Sequence, residues 1–418
     1  KTMKRMPTQG LPAADVLTAL EQLRMDDVDW RNGRAFSLAY HAGPEAIGLA
    51  EEAYRRFSGE NALSTDAFPS LKTMQADVVS MTRDWLGATV DSAGFMTSGG
   101  TESILMIVKA ARDQFRHTRN ITKPNVVLPT SAHAAFEKAC AYFDVEPRRS
   151  PVGTDWRAHA DGMQPLMDEN TILLVASAPQ YPQGVIDDVS SIAQLALERG
   201  INCHVDACMG GVTLAYLVRL GEPIPPWNLT VDGVTSMSVD LHKFGYTSKG
   251  ASVVMYANKM LRSYQGFVTD NWLGGFYASS GALGTKSGGS IASAWSVMHH
   301  LGDDGYLALT RQARIATIAL ANHIDQHHDL ELRVRPDATL LSFGARDPHS
   351  LNIFAVADQL RNRGWYVDRQ QPPDSLHCTV NAIHHDKIES FVADLDEAIE
   401  FSKSTQRQST VGQYGNLE

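Results

Sequence analysis

Lys243 is the residue in this sequence best placed for covalent chemistry, because it directly follows a predicted strand. It closes the stretch Ser-Val-Asp-Leu-His-Lys at 238–243 and has His242 beside it. Partial burial and a neighbouring cation lower the pKa of a lysine and free its lone pair for a Schiff base with a carbonyl compound. Lys249 lies a few residues further along and could be that cation. An isolated lysine is more often a solvated surface residue, so Lys243 indicates this chemistry only in combination with other groups.

A glycine turn at the start of a predicted helix offers a place for a single phosphate group. Residues 97–103 read Thr-Ser-Gly-Gly-Thr-Glu-Ser and open a helix over residues 104–116. Paired glycines let a ligand approach the backbone, and the N-terminus of a helix adds unpaired N–H groups and the positive end of a dipole. The stretch lacks the lysine of a P-loop and the GxGxxG fingerprint of dinucleotide sites. An ordinary capped helix start is an equally good interpretation of these residues alone.

Two further side chains follow predicted strands. Asp206 ends the strand in His-Val-Asp-Ala-Cys, at the edge where open α/β sheets bind ligands, although it could instead cap the turn that follows. His133 lies at the start of a helix, where its flat ring could stack on a ligand or serve as a capping or core histidine. A phosphate cradle, a strand-end acid and a strand-end lysine form the set that pyridoxal phosphate needs. Asp206 would then pair with the pyridine nitrogen, and Lys243 would carry the aldehyde carbon.

The composition excludes several classes of function. The chain of 418 residues has 37 Lys+Arg and 47 Asp+Glu, a net charge of −10, whereas nucleic-acid binding demands clustered positive charge. Four cysteines without CxxC spacing argue against a disulfide framework or a cysteine zinc site, and favour a reducing compartment such as the cytoplasm. No apolar run approaches the roughly 18 residues that a transmembrane segment needs. The histidine pairs at 299–300, 327–328 and 384–385 show no carboxylate at metal spacing, so we expect packing or surface roles and no metal site.

The elements that must position these groups alternate between strand and helix from about residue 91 onward. Near-continuous apolar runs are typical of strands buried on both faces, and their alternation with helices predicts an α/β fold with a large, mostly parallel sheet. The predicted strands lie at 125–128, 171–177, 202–206, 234–239 and 252–256. The predicted helices lie at 13–23, 45–57, 71–85, 132–143 and 190–199.

A long helical stretch over 291–328 leads into a predicted α+β part of the chain. Its strands are expected near 332–335, 339–343 and 377–382, and its helices near 350–363 and 388–401. The length of the chain suggests two or three domains. We expect an N-terminal helical segment over 1–60, a large cofactor-binding domain over 61–300, a smaller C-terminal α+β domain over 301–403 and a flexible tail over 404–418.

These stretches resemble the pyridoxal-phosphate enzymes of fold type I, in the group II decarboxylase branch, and within that branch the sphingosine-1-phosphate lyase family. The resemblance extends from about residue 12 to 400. The decarboxylases share the glycine turn, the Asp-Ala pair and the His-Lys pair, whereas Thr-Ser-Lys-Gly after the lysine and Gly-Gly-Phe-Tyr-Ala-Ser are specific to the lyases. The similar segments lie at 97–113, 131–139, 178–189, 204–211, 238–252, 269–289 and 361–373.

The resemblance implies that pyridoxal 5'-phosphate is the cofactor. Lys243 would hold it as a Schiff base, Asp206 would hold its ring nitrogen and His133 would stack on its ring. The residues implied for the cofactor from one chain are Gly100, Thr101, His133, Asp206, His242 and Lys243. Gly284 and Thr285 would reach the phosphate from the other subunit of a homodimer with shared active sites. The N-terminal segment would contribute to this dimer and to the site.

The implied reaction is a retro-aldol cleavage of a phosphorylated sphingoid base, sphingosine-1-phosphate, to a long-chain aldehyde and phosphoethanolamine. The residues implied around this substrate are Tyr40, Asn61, Ser64, Tyr181 and Lys249. Lys249 would clamp the phosphate. Tyr181, Tyr40 or a phosphate oxygen of the substrate would relay the proton of the C3 hydroxyl, and the sequence does not rank them.

Two departures from the family and two alternatives bear on this expectation. Ser64 stands where the family has a histidine, and residues 284–289 read Gly-Thr-Lys-Ser-Gly-Gly instead of Gly-Ser-Arg-Pro-Gly-Gly. Membrane forms of the family carry an N-terminal span that this sequence does not show, so we expect a soluble form. An amino-acid decarboxylase on the same scaffold is the alternative enzyme. The presence of Lys243 and Asp206 disfavours a binding protein without catalysis.

Overall fold

The computed structural model describes residues 5–404, and a seven-stranded sheet forms the centre of the larger part of it. The strands of this sheet are β1 (Ala93–Thr97), β2 (Asn125–Pro129), β3 (Glu146–Ser150), β4 (Thr171–Ser177), β5 (Asn202–Asp206), β6 (Ser236–Val239) and β7 (Ser252–Tyr256). Their spatial order is β1-β7-β6-β5-β4-β2-β3. The strands from β2 to β6 are parallel, and β7 runs antiparallel to both of its neighbours. The prediction of a large, mostly parallel sheet is therefore confirmed.

Helices cover the sheet because its strands are apolar along their whole length. Every residue of β2 and β4 is buried, which requires cover on both faces. The helices of this part are α1 (Ala13–Leu23), α2 (Pro44–Arg56), α3 (Pro69–Trp85), α4 (Gly100–Arg119), α5 (Ala135–Phe143), α6 (Ala160–Met163), α7 (Val189–Arg199), α8 (Thr213–Arg219) and α9 (Lys259–Ser263). Helix α3 buries Leu71, Met74 and Val78, at the spacing of one helical face.

The long predicted helix is present as α10 (Gly289–Gln326), with a kink at Gly302, and it leads to a second sheet. This sheet is antiparallel throughout, with the order β10-β11-β13-β12. Its strands are β10 (Leu330–Leu332), β11 (Leu340–Ala345), β12 (Asp368–Gln370) and β13 (Ser375–Thr379), and its helices are α11 (Ile353–Asn362) and α12 (Ile388–Ser404). A separate core forms here around Phe343, Trp365 and Phe391, and Phe36 from the N-terminal segment packs into it.

Several boundaries predicted from the sequence are wrong. The strand expected near 332–335 lies earlier, at β10 (Leu330–Leu332), where it pairs with residues 343–345 of β11. The strand expected at 377–382 ends at Thr379, since Asn381 caps the 3₁₀ turn Ala382–Asp386. Strand β3 was not predicted, because Glu-Pro-Arg-Arg-Ser has the charges and the proline of an edge strand and no apolar run.

The two-stranded hairpin of β8 (Phe267–Thr269) and β9 (Tyr277–Ser279) was also not predicted. Residues 405–418 of the expected tail lie outside the described part, and Ser404 is the last residue of α12. The division of the chain at residues 60 and 300 stays a prediction. Within residues 5–404, no helix is long and apolar enough to cross a membrane.

Candidate active site

A cavity of about 340 Å³ opens at the ends of β5 and β6 and the start of α4. The cavity lies at the edge of the sheet where the parallel strands end, and open α/β sheets bind their ligands at this edge. The cavity brings together all the residues of one chain that were predicted to hold the cofactor: Gly100, Thr101, His133, Asp206, His242 and Lys243. Tyr181 lies in its wall as well. Residues far apart in the sequence therefore form one pocket.

Lys243 is held by a buried carboxylate. Its Nζ lies 2.9 Å from Oδ2 of Asp240, whose side chain is only 2% exposed. Burial alone would raise the pKa of Asp240, but the charges of Lys243 and His242 and the hydroxyl of Ser252 lower that pKa to about 2. Sequence reasoning missed Asp240 as a site residue. Its signal was the spacing of three residues before the lysine, which one turn brings together, with Lys243 N donating to Asp240 O at 3.2 Å.

Asp206 ends β5 and is fixed by a buried row of polar groups. Its Oδ1 accepts hydrogen bonds from Cys208 N at 3.0 Å and from Ser238 Oγ at 3.3 Å. Ser238 Oγ lies 3.1 Å from Nε2 of His204, and Nδ1 of the same ring lies 2.9 Å from Ser236 Oγ. Burial lowers the pKa of His204 to about 4, so its ring is neutral at physiological pH. The alternation His-Val-Asp along β5 places His204 and Asp206 on one face of the strand and could have indicated this support.

The start of α4 leaves room for a ligand only because its first residue is glycine. A Cβ on Gly100 would lie 2.8 Å from Sγ of Cys208 and 2.9 Å from Oδ2 of Asp240. Glu102 holds the turn in place with two hydrogen bonds. Its Oε2 accepts a hydrogen bond from Ser98 N at 2.6 Å, and its Oε1 accepts one from Ala282 N at 2.8 Å. Helix α4 has 20 residues, and the positive end of its dipole points to this turn. The turn is therefore suited to a single phosphate, and its role in cofactor binding stays a prediction.

The ring of His133 lies in the wall of the cavity just before α5. Its Nδ1 accepts from Ala135 N at 3.1 Å, and burial lowers the pKa of the ring. A neutral, flat ring therefore lies in the cavity wall and accepts a hydrogen bond from the first residue of the following helix at the same time. The two interpretations of His133 that the sequence left open are compatible with each other.

The residues predicted for the substrate, together with Gly284 and Thr285, which were predicted to reach the cofactor phosphate of the partner subunit, divide into three groups. Tyr181 lies in the cavity wall, where its Oη donates to Oδ2 of Asp368 at 2.5 Å. Tyr40 and Lys249 line an adjoining cavity of about 580 Å³ that shares His242 with the first. Lys249 Nζ lies 4.9 Å from the centre of the Tyr40 ring and donates to His242 O at 3.2 Å. Burial, followed by the charge of Lys243, lowers the pKa of Lys249 to about 8.

The third group lies away from both cavities. Asn61 Nδ2 donates to Oγ1 of Thr285 at 3.4 Å, Ser64 is exposed, and a Cβ on Gly284 would meet open space. None of these four residues lines either cavity. The structure of one chain therefore does not bring them to the lysine, and their roles stay predictions.

The expectation that the histidine pairs have no carboxylate partner is wrong for two of the three. Asp329 Oδ2 lies 2.9 Å from Nε2 of His328, and Asp386 Oδ1 lies 2.8 Å from Nδ1 of His385. Each acid is the next residue in the chain, a spacing the prediction did not consider. His327, His328 and Asp329 have ligand atoms within 4.8 Å of one another and could hold a metal ion, but Lys403 Nζ already contacts that carboxylate.

Comparison of this chain with known proteins finds relatives by family model and by sequence. The protein-family model named the pyridoxal-dependent decarboxylase conserved domain matches residues 2–346. The sphingosine-1-phosphate lyase of Arabidopsis thaliana is 37% identical and covers 97% of this chain and 75% of its own. Sphingosine-1-phosphate lyase 1 of Rattus norvegicus is 36% identical, with 98% of this chain and 72% of its own covered.

Solved structures agree with these relatives. The sphingosine-1-phosphate lyase of Burkholderia pseudomallei superposes with a TM-score of 0.91 at 33% identity, over 96% of this chain and 94% of that one. A glutamate decarboxylase of Lactobacillus brevis has a TM-score of 0.85 at 18% identity, over 98% of this chain and 97% of that one. The second likeness shows the shared fold alone.

Proposed function

The chain belongs to the sphingosine-1-phosphate lyases of the pyridoxal-dependent decarboxylase family, and on this premise we propose that it cleaves a phosphorylated sphingoid base between C2 and C3. The products are a long-chain aldehyde and phosphoethanolamine. The observation that carries the proposal is the meeting of Lys243, Asp206 and the Gly100 turn in one cavity. A binding protein needs no amine held at such a point, whereas a pyridoxal-phosphate-dependent lyase does.

The residues of the cavity fit pyridoxal phosphate. Lys243 would hold its aldehyde carbon, Asp206 its ring nitrogen, and the N–H groups of Gly100 and Thr101 its phosphate. Gly100 supports this fit, because any side chain at that position would collide with Cys208 and Asp240 and close the space beside the turn. When bound, the cofactor supplies an electron sink for the pair of electrons released at C2.

Lys249 is suited to the phosphate end of the substrate. Its amine lies beside the Tyr40 ring on a side chain that solvent reaches, and the surrounding protein and the charge of Lys243 lower its pKa to about 8. A phosphate dianion placed beside it would favour the protonated ammonium and form a charge-assisted hydrogen bond. The cavity of about 580 Å³ that Lys249 lines is therefore assigned to the phosphate.

The alkyl chain of the substrate needs a separate, apolar path. A further cavity of about 690 Å³ shares His133 and Tyr181 with the central one but none of the residues around Lys249. Its apolar lining residues include Val152, Trp156, Pro182 and Pro372. Since the phosphate end is held by Lys249, C3 and the chain beyond it extend past Tyr181 into this cavity.

A second copy of the chain is the proposed partner. Helix α1 has no buried residue, and its Leu17, Leu20 and Leu23 are exposed, as are Trp272 and Leu273 between β8 and β9. Apolar groups in such numbers on a surface are typical of an interface. A homodimer would cover them. It would also give Asn61 and Thr285, which contact each other, a shared position at the active site of the partner subunit.

Purified protein reconstituted with pyridoxal phosphate and incubated with sphingosine-1-phosphate tests the function. We expect a long-chain aldehyde and phosphoethanolamine by mass spectrometry, and no aldehyde from Lys243→Ala. The matched control is Lys259→Ala, at an exposed lysine of α9, which should retain full activity. Release of carbon dioxide from glutamate or tryptophan, without any aldehyde from the phosphorylated base, would instead establish the amino-acid decarboxylase.

A further inference from the structure

We infer that Asp368, at the start of β12 in the small sheet, positions Tyr181 and accepts its proton, which makes Tyr181 the group that deprotonates the C3 hydroxyl. The inference rests on the proposed function and deepens it. Tyr181 Oη lies 2.5 Å from Asp368 Oδ2, at the short end of the range for hydrogen bonds to a carboxylate. Asp368 is only 8% exposed, and with Tyr181 it lines the cavity of about 690 Å³.

The position of Tyr181 is fixed from its other side as well. Its ring packs on the ring of His377 with centroids 4.1 Å apart. His377 is fully buried, and burial lowers its pKa to about 4, so it presents a neutral surface. Its Nε2 lies 2.8 Å from Thr379 Oγ1, which holds the histidine on β13. Tyr181 therefore has one orientation, with its ring in the cavity wall and its hydroxyl on the carboxylate of Asp368.

The other tyrosine candidate has a different environment. Tyr40 Oη lies 3.9 Å from Sδ of Met209, a thioether that accepts hydrogen bonds weakly. Its ring faces the Lys249 amine, on the side assigned to the phosphate. Tyr181, by contrast, separates the central cavity from the cavity proposed for the alkyl chain. The C3 atom lies between the amine-bearing C2 and that chain, so its hydroxyl falls within reach of Tyr181.

The groups that face Asp368 leave its carboxylate available to Tyr181. The hydroxyl of Tyr366 also hydrogen-bonds to Asp368, and the pKa of Tyr366 is raised by burial and by that carboxylate. The Cys378 thiol, whose pKa is raised by burial and then by Asp368, is not a proton donor to it at neutral pH. The guanidinium of Arg369 contacts Asp358 at 2.5 Å. The hydroxyl groups of Tyr181 and Tyr366 thus both hydrogen-bond to Asp368, and of these two residues only Tyr181 lies in the wall of the central cavity.

The proton balance of the step is simple. The O–H bond of the C3 hydroxyl breaks and its proton passes to Tyr181 Oη, while the phenolic proton of Tyr181 moves to Asp368 Oδ2. The C3–O bond becomes a carbonyl, and the C2–C3 bond breaks with its electron pair remaining on the C2 fragment. That fragment later takes up one proton at C2, which equals the one held on Asp368. Tyr181 touches the substrate, and Asp368 acts through it as a positioning residue.

A double-mutant cycle on the reconstituted enzyme tests this pairing. Asp368→Asn keeps an acceptor oxygen but cannot take the proton, so kcat should fall about 100-fold, the lower end for general base catalysis, while KM changes by less than about threefold. Tyr181→Phe should lose a similar factor. The double variant should be no slower than either single variant, because the two residues act as one unit. Asp374→Asn, the same substitution at an exposed acid in the turn between β12 and β13, is the matched control and should stay within about threefold of the wild type in kcat.

Asp368→Glu retains a carboxylate and should recover part of the lost kcat, and it provides the test if Asp368→Asn does not fold. Wild-type kcat in Asp368→Asn, losses that multiply in the double variant, or a Glu variant as slow as Asn would each overturn the pairing while leaving the lyase function in place. Failure of the wild-type enzyme to release aldehyde would overturn both, because no C3 hydroxyl would then be involved.

Discussion

The Nζ atom of Lys243 lies 2.9 Å from the Oδ2 atom of Asp240, and the fold leaves that carboxylate 2% exposed. A buried charge is costly unless an opposite charge lies beside it, so the ammonium of Lys243 stabilises the buried carboxylate of Asp240. Asp240 thereby fixes the amine at the mouth of the cavity. This pair and Asp206 at the end of the neighbouring strand β5 set the charge arrangement of the site.

Asp240→Asn should destabilise the protein freed of cofactor, because it leaves the ammonium of Lys243 without its buried counter-charge. We expect a loss of about 3 kcal/mol in the free energy of unfolding, as for other buried ion pairs that lose one partner. Urea denaturation followed by circular dichroism measures it. Glu169→Gln, at an exposed acid, is the control and should change stability by less than about 0.5 kcal/mol. Equal effects of the two substitutions would contradict the role given to Asp240.

The contribution of Asp240 should also depend on pH with a defined sign. Its pKa in the folded protein is about 2, below the ordinary 3.8, so the carboxylate stabilises the fold above pH 3.8 and this contribution is lost as the pH falls through about 2. The difference in stability between the wild type and Asp240→Asn should therefore be constant from pH 5 to 7 and shrink in acid. A difference that grew as the pH fell would have the wrong sign.

Substrate affinity should weaken as Lys249 loses its proton. The pKa of Lys249 is about 8 in the free protein, so KM for the phosphorylated base should rise above that pH. Lys249→Arg keeps a charge at all accessible pH values and should remove this rise, although its fork shape will alter KM itself. Initial rates between pH 6.5 and 9.5 provide the comparison. An unchanged alkaline limb in the arginine variant would show that another group titrates there.

Gly100→Ala should weaken cofactor binding. The added methyl group would lie within 3 Å of Cys208 Sγ and Asp240 Oδ2, so the turn must shift away from the position suited to a phosphate. We expect Kd for pyridoxal phosphate to rise at least about 10-fold, equivalent to about 1.4 kcal/mol, in an absorbance titration. Gly48→Ala, on α2 with nothing within 4 Å of the new atom, is the matched control and should bind the cofactor normally. Normal binding by both variants would remove Gly100 from the site.

Val152→Glu should discriminate against long substrates. The new carboxylate would lie in the cavity of about 690 Å³ assigned to the alkyl chain, where each buried methylene contributes about 0.8 kcal/mol. We expect kcat/KM for a long-chain base to fall at least about 10-fold, the cost of placing a charge against an apolar chain. A short-chain analogue should be affected less than about threefold. Equal losses for both substrates would place the chain elsewhere.

Much of the site could be predicted because its residues lie at or directly after the ends of strands in the sequence. Lys243, Asp206 and the Gly100 turn each follow an apolar run whose burial is evident from the sequence, and parallel strands bring such ends to one edge. The prediction holds although β7 runs antiparallel, a direction that no residue pattern in β7 reveals.

Asp368 was missed because its contact joins distant segments. It lies 187 positions from Tyr181, which the resemblance did indicate, and nothing in the local sequence around Asp368 points to that contact. Asp240 was overlooked for a different reason. Its contact with Lys243 depends on the turn after β6, which brings the two side chains together. Asn61 and Ser64 were assigned by resemblance alone, and the single chain places them away from the lysine.

The match to the pyridoxal-dependent decarboxylase domain ends at residue 346, inside the small sheet, and Asp368 on β12 lies beyond that match. In the proposed mechanism, the residues that would hold the cofactor therefore lie inside the matched segment, whereas the group that would receive the proton lies outside it. Substitutions around β12 should then change the fate of a bound amine more than they change cofactor binding.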